Sequence, residues 1–291
     1  PAVNFGNFMI NKGFECCLIL DQRGNKFSKN FNGKIFIIRS SHLSGNIFFK
    51  FNSLINLSIG LVQSLFFLNK IKPSTCIAFG SYATFTPLLA LFFYKLFRNI
   101  KLYLHEQNSV IGKVNLFFLP FTKSFFTNFD IVTNLPEKYK NKRLHVGLPN
   151  NKKLNTGINK KNDFLKKSIF IYGGSQGSQN LIDNFLLLIK TIDDKELNKL
   201  KFVIQCPKKQ NEILEKNLKK LKVDYQIKSY FDDIDNILSE TDIAITRAGA
   251  GTINDLVSYK VPSIIFPLPN SIYNHQYYNA KFLLDKKACI V

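Results

Sequence analysis

Short apolar runs rich in β-branched and aromatic residues alternate with longer helical patterns along almost the whole chain. That alternation is the mark of βαβ units and a parallel sheet. The pattern predicts strands at 15–20, 34–38, 75–79, 101–105 and 130–133, then at 168–172, 201–206, 224–227, 242–246 and 263–266. Between the two series, residues 147–163 read GLPNNKKLNTGINKKND, whose Gly, Pro, Asn and Lys with few apolar side chains suit a linker. The 291 residues make room for about two domains at roughly 150 residues each. We therefore expect domains over 1–149 and 164–291 joined by a linker over 150–163, both doubly wound open α/β sheets that face a cleft. Ligands of such sheets bind beyond the carboxyl ends of the strands, so the loops after the strands are where chemistry is expected.

Charge adds a hint about partners. Lys and Arg number 40 against 20 Asp and Glu, a formal +20 that attracts phosphate, nucleic acid or anionic lipid. Residues 1–150 carry 18 basic and 5 acidic side chains, which makes the first half the better anion-facing surface. The 29 Phe, absent Trp and abundant Lys, Asn and Ile equally suit drift toward AT-rich codons. Cys16, Cys17, Cys76, Cys206 and Cys289 form no C-x-x-C pair, which argues against structural zinc and a disulfide framework. The apolar stretches 61–68 and 85–97 are broken by Gln63, Thr86 and Lys95, short of the ~18–20 residues of a spanning helix. A soluble or peripheral, cytoplasmic protein is expected. Pro1 opens inside what reads as a helix, with neither an initiating Met nor a signal peptide, so a piece of a longer chain is expected.

The strongest local feature is the glycine-rich turn Gly173, Gly174, Ser175, Gln176 and Gly177 between a strand and a helix. Such a turn lets backbone N–H groups approach a phosphate at the positive end of the helix. It lacks both G-K-[ST] and G-x-G-x-x-G, and an ordinary tight turn explains the same residues. A second loop, R-A-G-A-G-T at 247–252, is followed one turn later by Asp255, whose carboxylate suits the vicinal hydroxyls of a ribose. The alternative for Asp255 is a first-turn acid on its helix dipole. After 263–266, two prolines hold open a loop that leads to His275 and Gln276. In the first half, strand 101–105 runs into His105, Glu106, Gln107 and Asn108, a polar cluster that is costly to bury and therefore expected at a ligand. Tyr82 sits in another small-residue loop, F-G-S-Y at 79–82, where edge packing is the plainer reading.

Five motifs in this order, F-G-S-Y at 79–82, H-E-Q-N at 105–108, G-G-S-Q-G at 173–177, R-A-G-A-G-T at 247–252 and N-H-Q-Y-Y-N-A at 274–280, resemble the MurG family of bacterial cell-wall glycosyltransferases. The resemblance covers nearly all of the chain. It implies a GT-B fold, two Rossmann-like domains facing a cleft. It also implies transfer of N-acetylglucosamine from UDP-N-acetylglucosamine to the 4-hydroxyl of undecaprenyl-linked muramoyl-pentapeptide, a step of cell-wall biogenesis on which cell shape and division depend. Carried over residue by residue, Gly174, Ser175, Gln176 and Gly177 fall at the donor diphosphate. Ala250, Gly251, Thr252, His275 and Gln276 match positions near the diphosphate and transferred sugar. Asp255 stands where the family normally has a longer Glu for the ribose, and Phe231 matches a position beside the uracil with Tyr230 packed next to it. Tyr82, His105, Glu106 and Asn108 match the acceptor side.

The chain departs from the family in lacking the N-terminal strand and its G-G-T-G-G-H loop, with the His proposed to act there, and in ending before the last helices. At 147–151 it reads G-L-P-N-N where G-N-P-V-R is common. The implied mechanism is an inverting single displacement with a general base and helix N-termini stabilising the diphosphate. Glu106 and His105 are the remaining catalytic candidates. No metal and no cofactor are implied. A lipid-linked acceptor implies contact of the first domain with anionic lipids at the cytoplasmic face of the inner membrane, through apolar segments 47–68 and 116–125 flanked by Lys50, Lys70, Lys113 and Lys123. Core helices bordered by solvated lysines are the competing reading. The rival enzyme is a UDP-sugar 2-epimerase of the same fold. The rival outside enzymology is a basic nucleic-acid-binding protein, against which stands the lack of any recognition helix, RNP-like aromatic pair or zinc knuckle, so no nucleic-acid partner is expected.

Overall fold

The computed structural model describes residues 1–41, 46–149, 166–173 and 179–291. The chain divides into two compact units, Pro1–Asn151 and Lys152–Val291, and the expected linker over 150–163 lies outside the described residues.

The first unit runs α1 (Ala2–Asn11), β1 (Cys17–Asp21), α2 (Gln22–Asn25), β2 (Lys34–Ile38), α3 (Ile47–Ile71), β3 (Thr75–Ala78), α4 (Phe85–Tyr94), β4 (Lys101–Glu106), α5 (Lys113–Phe118), β5 (Ser124–Thr127) and β6 (Arg143–His145). Strands β1 and β2 pair in parallel, and β3-β4-β5-β6 form a second, all-parallel sheet. Leu88, Leu91, Leu102, Leu104, Phe118 and Phe125 close its core. The strand expected at 130–133 is absent: Ile131 is 71% exposed and only Thr133 makes a bridge, to Val110. The strand is instead Ser124–Thr127, where Phe125 and Thr127 point into the interior. Burial of those two side chains outweighs the β-branched propensity of the Ile-Val-Thr run.

The second unit runs β7 (Lys167–Tyr172), α6 (Gln179–Ile189), α7 (Asp194–Leu197), β8 (Leu200–Gln205), α8 (Lys208–Lys220), β9 (Asp224–Lys228), α9 (Ile234–Glu240), β10 (Ile243–Thr246), α10 (Ala250–Tyr259), β11 (Ser263–Ile265), α11 (His275–Leu284) and β12 (Cys289–Ile290). All six strands are parallel in the order β12-β11-β10-β7-β8-β9. Counted from β7 this is 3-2-1-4-5-6, the doubly wound order, and the winding reverses between β7 and β10. Ile171, Phe185, Phe202, Ile204, Leu214 and Leu218 fill one face. On the other face Phe170 stacks on Tyr172 with centroids 4.3 Å apart, and Phe231 meets Phe170 edge-on at 5.9 Å.

Helix α3 reverses the usual amphipathic arrangement. It begins where the Asn46 side chain accepts from the Phe49 N–H at 3.1 Å, and it ends at Lys72 in the left-handed region. Its buried stripe is Ser53, Leu57, Gly60, Ser64 and Leu68, mostly small residues three or four apart. Large apolar side chains face outward instead: Ile47 is 87% exposed, Phe48 77% and Phe66 64%. With 25 residues, α3 is long and apolar enough to cross a membrane by length and composition, which corrects the expectation that no apolar stretch reaches that length. The interruption at Gln63 misled that expectation, because Gln63 Oε1 accepts from the Arg39 N–H at 2.8 Å and so turns its polarity inward.

Gly60 is the tight point of this packing, since a Cβ there would lie 2.1 Å from the Arg39 carbonyl oxygen. Ala would be the better helix former by about 0.5–1 kcal/mol. The backbone clash wins, and Gly60→Ala is expected to destabilise the first unit by about 1–3 kcal/mol, as overpacking does. Urea denaturation checks this; an unchanged midpoint would mean that α3 and the chain at Arg39 can part freely.

Candidate functional site

In the first unit the carboxyl ends of β3 and β4 are knitted together by polar side chains. Glu106 is buried, and its Oε1 accepts from the Asn108 N–H at 3.1 Å and from Asn108 Nδ2 at 3.4 Å. Its Oε2 accepts from the Gly112 N–H at 2.8 Å and from Asn115 Nδ2 at 2.9 Å. The same Asn115 amide donates to the His105 carbonyl at 3.2 Å. Gln107 Nε2 donates to the Phe79 carbonyl at 2.9 Å, which fixes the 79–82 loop to the 106–115 loop. That loop turns at Gly80 and Ser81, both at positive φ, and leads into a single 3₁₀ turn, Tyr82–Thr84. Asn115 and Gly112 carry no motif and were not singled out in the sequence; a buried Asn on a short apolar helix was the available signal.

His105 lies 1% exposed, tilted against the Phe79 ring at 5.2 Å, with Nε2 2.9 Å from the Gly147 carbonyl. A carbonyl partner makes Nε2 the donor, so Nδ1 bears the lone pair, and it has no partner. A general base needs a lone pair that substrate can reach. Both oxygens of Glu106 are engaged by the protein and His105 is buried, so in this structure both side chains brace the loop that carries Asn108.

Burial lowers the His105 pKa, with the Gly147 hydrogen bond opposing more weakly. A depressed folded-state pKa means that the unfolded chain takes up the proton first. Stability is therefore full above the ordinary value of 6.5 and falls as pH drops below it toward the folded pKa. His105→Gln, which cannot titrate, is expected to show a shallower acid-side loss in thermal melts across that window; a wild-type slope would exclude His105 as the titrating group.

In the second unit the site forms where the winding reverses. Thr246 Oγ1 donates to the Tyr172 carbonyl at 2.7 Å and joins the ends of β10 and β7. Gly174, Ser175, Gln176 and Gly177 lie outside the described residues. The loop after β10 enters α10 through Gly249 and Ala250, and the N–H groups of Ala250, Gly251 and Thr252 fall in the first turn, where a helix leaves its donors open to an anion. Thr252 and Asp255, three residues apart, share one face of α10.

Gly251 is exposed, and a Cβ there would meet nothing within 4 Å, so the protein itself has no need of a glycine at this position. Gly251→Ala is expected to leave the fold intact or stabilise it by about 0.5–1 kcal/mol, while it weakens binding of a diphosphate brought against the first turn by about tenfold. Thermal melts and calorimetric titration with UDP check the two halves; unimpaired binding would move the ligand away from this turn.

Arg247, the first residue of the R-A-G-A-G-T motif, has no role of its own in the sequence reading. It is buried, and its Nη1 donates to the Phe266 carbonyl at 3.0 Å and the Pro267 carbonyl at 3.4 Å, tying the loop after β10 to the loop after β11. Burial depresses its pKa. Asn279, wholly buried, donates to the Ala248 carbonyl at 3.0 Å and brings α11 to the same loop. Gln276 Oε1 accepts from the Leu268 N–H at 2.9 Å, which leaves its NH₂ as the group a ligand would meet. His275 stands at the start of α11 with Nδ1 2.9 Å from the Ile272 carbonyl, after two successive left-handed residues, Tyr273 and Asn274.

Phe231 is buried against Phe170, so that its ring belongs to the sheet packing and only its backbone is left to face a base; Tyr230, expected to pack beside it, is 57% exposed. Among the described residues, no three His, Cys, Asp or Glu side chains cluster as a metal site.

Comparison with known proteins agrees with this arrangement. Residues 1–127 match the glycosyltransferase family 28 N-terminal domain and residues 168–291 the glycosyltransferase family 28 C-terminal domain. A UDP-N-acetylglucosamine--N-acetylmuramyl-(pentapeptide) pyrophosphoryl-undecaprenol N-acetylglucosamine transferase of Rickettsia canadensis is 36% identical over 99% of this chain and 80% of its own length. The enzyme of that name from Rickettsia felis is 35% identical over 99% of this chain and 81% of its own. Among solved structures, Acinetobacter baumannii MurG superposes with a TM-score of 0.76 at 21% identity, covering 100% of this chain and 80% of that one. A glycosyltransferase of kitacinnamycin follows at 0.71 and 11% identity, covering 100% and 81%. These structures establish the GT-B fold. With its two matched domains and a resemblance to the rickettsial transferases over 99% of its residues, the chain belongs to glycosyltransferase family 28 and, within it, to the MurG family.

Proposed function

We propose that this chain transfers N-acetylglucosamine from UDP-N-acetylglucosamine to the lipid-linked muramoyl-pentapeptide of peptidoglycan synthesis. The observation that carries the reading is the site at the reversal point of the second unit, where the open first turn of α10 stands beside Thr252 and Asp255. The turn suits a diphosphate and the carboxylate suits a ribose diol. Ala250, Gly251, Thr252, His275 and Gln276 surround the diphosphate and transferred sugar, with Gly174, Ser175, Gln176 and Gly177 as the second phosphate loop and the Phe231 backbone at the uracil. The acceptor 4-hydroxyl attacks C1 of the sugar, the bond from C1 to the β-phosphate oxygen breaks, and a base takes the hydroxyl proton. The helix N-terminus stabilises the charge that builds on the departing UDP. Tyr82 and Asn108, held by the Glu106 network, act on the acceptor side.

Incubation with labelled UDP-N-acetylglucosamine and the lipid acceptor tests this. The expected product is a labelled lipid-linked disaccharide formed only when acceptor is present; a changed free sugar nucleotide without acceptor would favour the epimerase.

The first unit is further proposed to lie on anionic lipid at the cytoplasmic face of the membrane as a peripheral protein. In support, α3 turns Ile47, Phe48 and Phe66 outward while its small-residue stripe packs on protein, and Phe97 and Phe117 are exposed nearby in sequence to Lys95 and Lys113. Flanking Lys50, Lys70, Lys113 and Lys123 supply the charge, worth about 1 kcal/mol each near such a surface. Sedimentation with vesicles is expected to bring the protein down with anionic lipid at low salt and to release it at high salt; equal binding to neutral vesicles would contradict the electrostatic part.

A further inference from the structure

Arginine is scarce in this chain: 5 of the 40 basic side chains are Arg and the other 35 are Lys. Two of the five, Arg23 and Arg39, follow the neighbouring strands β1 and β2 at their carboxyl ends. The strands run parallel with Asp21 opposite Ile38, so Arg39 leaves β2 at the level of the α2 turn that carries Arg23, and α2 packs on both strands. Each arginine is fixed at its root. Asp21, whose side chain is 8% exposed, accepts from the Gly24 N–H at 2.8 Å through Oδ1 and from Arg23 Nε at 2.7 Å through Oδ2, with Arg23 Nη2 2.6 Å from the same oxygen. That engages one edge of the guanidinium. The other edge, Nη1 with the outer N–H of Nη2, remains on a side chain that is 59% exposed. The Arg39 backbone is gripped by α3, its N–H by Gln63 Oε1 at 2.8 Å and its carbonyl against Gly60, while its side chain lies exposed. Two positions of an apolar helix are thus given to holding one arginine.

We propose that Arg23 and Arg39 form a phosphate-binding pair beyond β1 and β2, a site separate from the donor site of the second unit. A guanidinium fork takes two oxygens at once, which a lysine ammonium does not. A carboxylate presents one pair of oxygens to a fork, whereas a phosphate presents several and accepts two forks. Asp21 orients Arg23 in advance, so little side-chain freedom is left to lose on binding. Strand β1 also packs against the Tyr82–Thr84 turn, on the side where the acceptor is proposed to bind. Such a phosphate arrives either as the diphosphate of the lipid-linked acceptor or as a lipid headgroup.

Calorimetric titration of the full chain with inorganic pyrophosphate tests it, with saturating UDP present to fill the second unit. Wild type is expected to bind saturably, with the Kd raised about tenfold in Arg23→Gln and in Arg39→Gln, as loss of a charged fork implies. Arg23→Lys should fall between, and UDP affinity should not change in any of them. Arg39→Gln leaves the Asp21 turn untouched, so it separates loss of the site from loss of the turn. Lys101→Gln, at the amino end of β4, removes the same charge and is expected to leave the Kd unchanged. A water-soluble short-chain diphospho-muramoyl-pentapeptide and phosphatidylglycerol vesicles then identify the source: whichever loses its binding in the Arg23→Gln/Arg39→Gln double variant carries the phosphate, and if neither does, the site takes the free anion. No saturable pyrophosphate binding in wild type, a Kd indifferent to both arginines, or equal weakening in Lys101→Gln overturns the inference, while the UDP titration reads the donor site separately.

Discussion

Replacing Glu106 by Gln is expected to cost the first unit about 2–4 kcal/mol of stability and to leave nucleotide binding by the second unit intact. The carboxylate accepts at both oxygens, from Asn108 on one side and from Gly112 and Asn115 on the other. An amide accepts on one side only, so its NH₂ must face existing donors whichever way it turns. Hydrogen bonds to a charged group are worth about 1.5–3 kcal/mol each, and a buried donor left unmet costs about 1–3. Loss of transfer should follow from loss of order in the 106–115 loop, seen as faster amide exchange there. If Glu106→Gln instead kept full stability and slow exchange but abolished transfer, Glu106 would be acting on substrate and its assignment as a loop anchor would fail.

Arg247→Ala should have the second large effect, this time in the second unit. The guanidinium is buried and bridges to the carbonyls of Phe266 and Pro267, so its removal leaves both without their charged donor. A loss of about 2–4 kcal/mol is expected. Nucleotide affinity should fall more than tenfold, because the loop after β11 leads to Gln276 and His275 and is no longer tied to the loop that starts α10. Arg247→Lys, which offers one compact ammonium in place of the planar fork, should fall between the two. Wild-type affinity in Arg247→Ala would show that the loop after β11 keeps its place without the bridge.

What could be read from the sequence divides along physical lines. Strands rich in Ile and Phe announce themselves: β2 at Lys34–Ile38 is found to the residue, and β7 and β10 within one. Short or edge strands do not: Arg143–His145 is charged and half exposed, Cys289–Ile290 has two residues, and Ser124–Thr127 lay in a run whose apolar character suited a helix or a membrane face equally well. Helix α3 was read in pieces because Gln63 looks like an interruption until Arg39 is seen to donate to it. For the site, residue type and position after a strand single out the loop that enters α10, with Asp255, as a candidate. The work of Arg247, Asn115 and Asn279 is not legible in this way, because each bonds to a backbone carbonyl distant in sequence. Glu106 and His105 stand out in the sequence as polar residues at the end of a strand, and a sequence does not distinguish a polar group aimed at a ligand from one that braces a loop.

The central claim is that the second unit holds a uridine-diphosphate sugar at the reversal point of its sheet. Calorimetric titration of the chain with UDP-N-acetylglucosamine, UDP and ADP tests it most directly, with Asp255→Ala measured in parallel. Saturable one-to-one binding of both uridine ligands is expected, with weaker binding of ADP and loss of most of the uridine affinity in Asp255→Ala. Equal affinity for ADP and UDP, or uridine binding indifferent to Asp255, would contradict it.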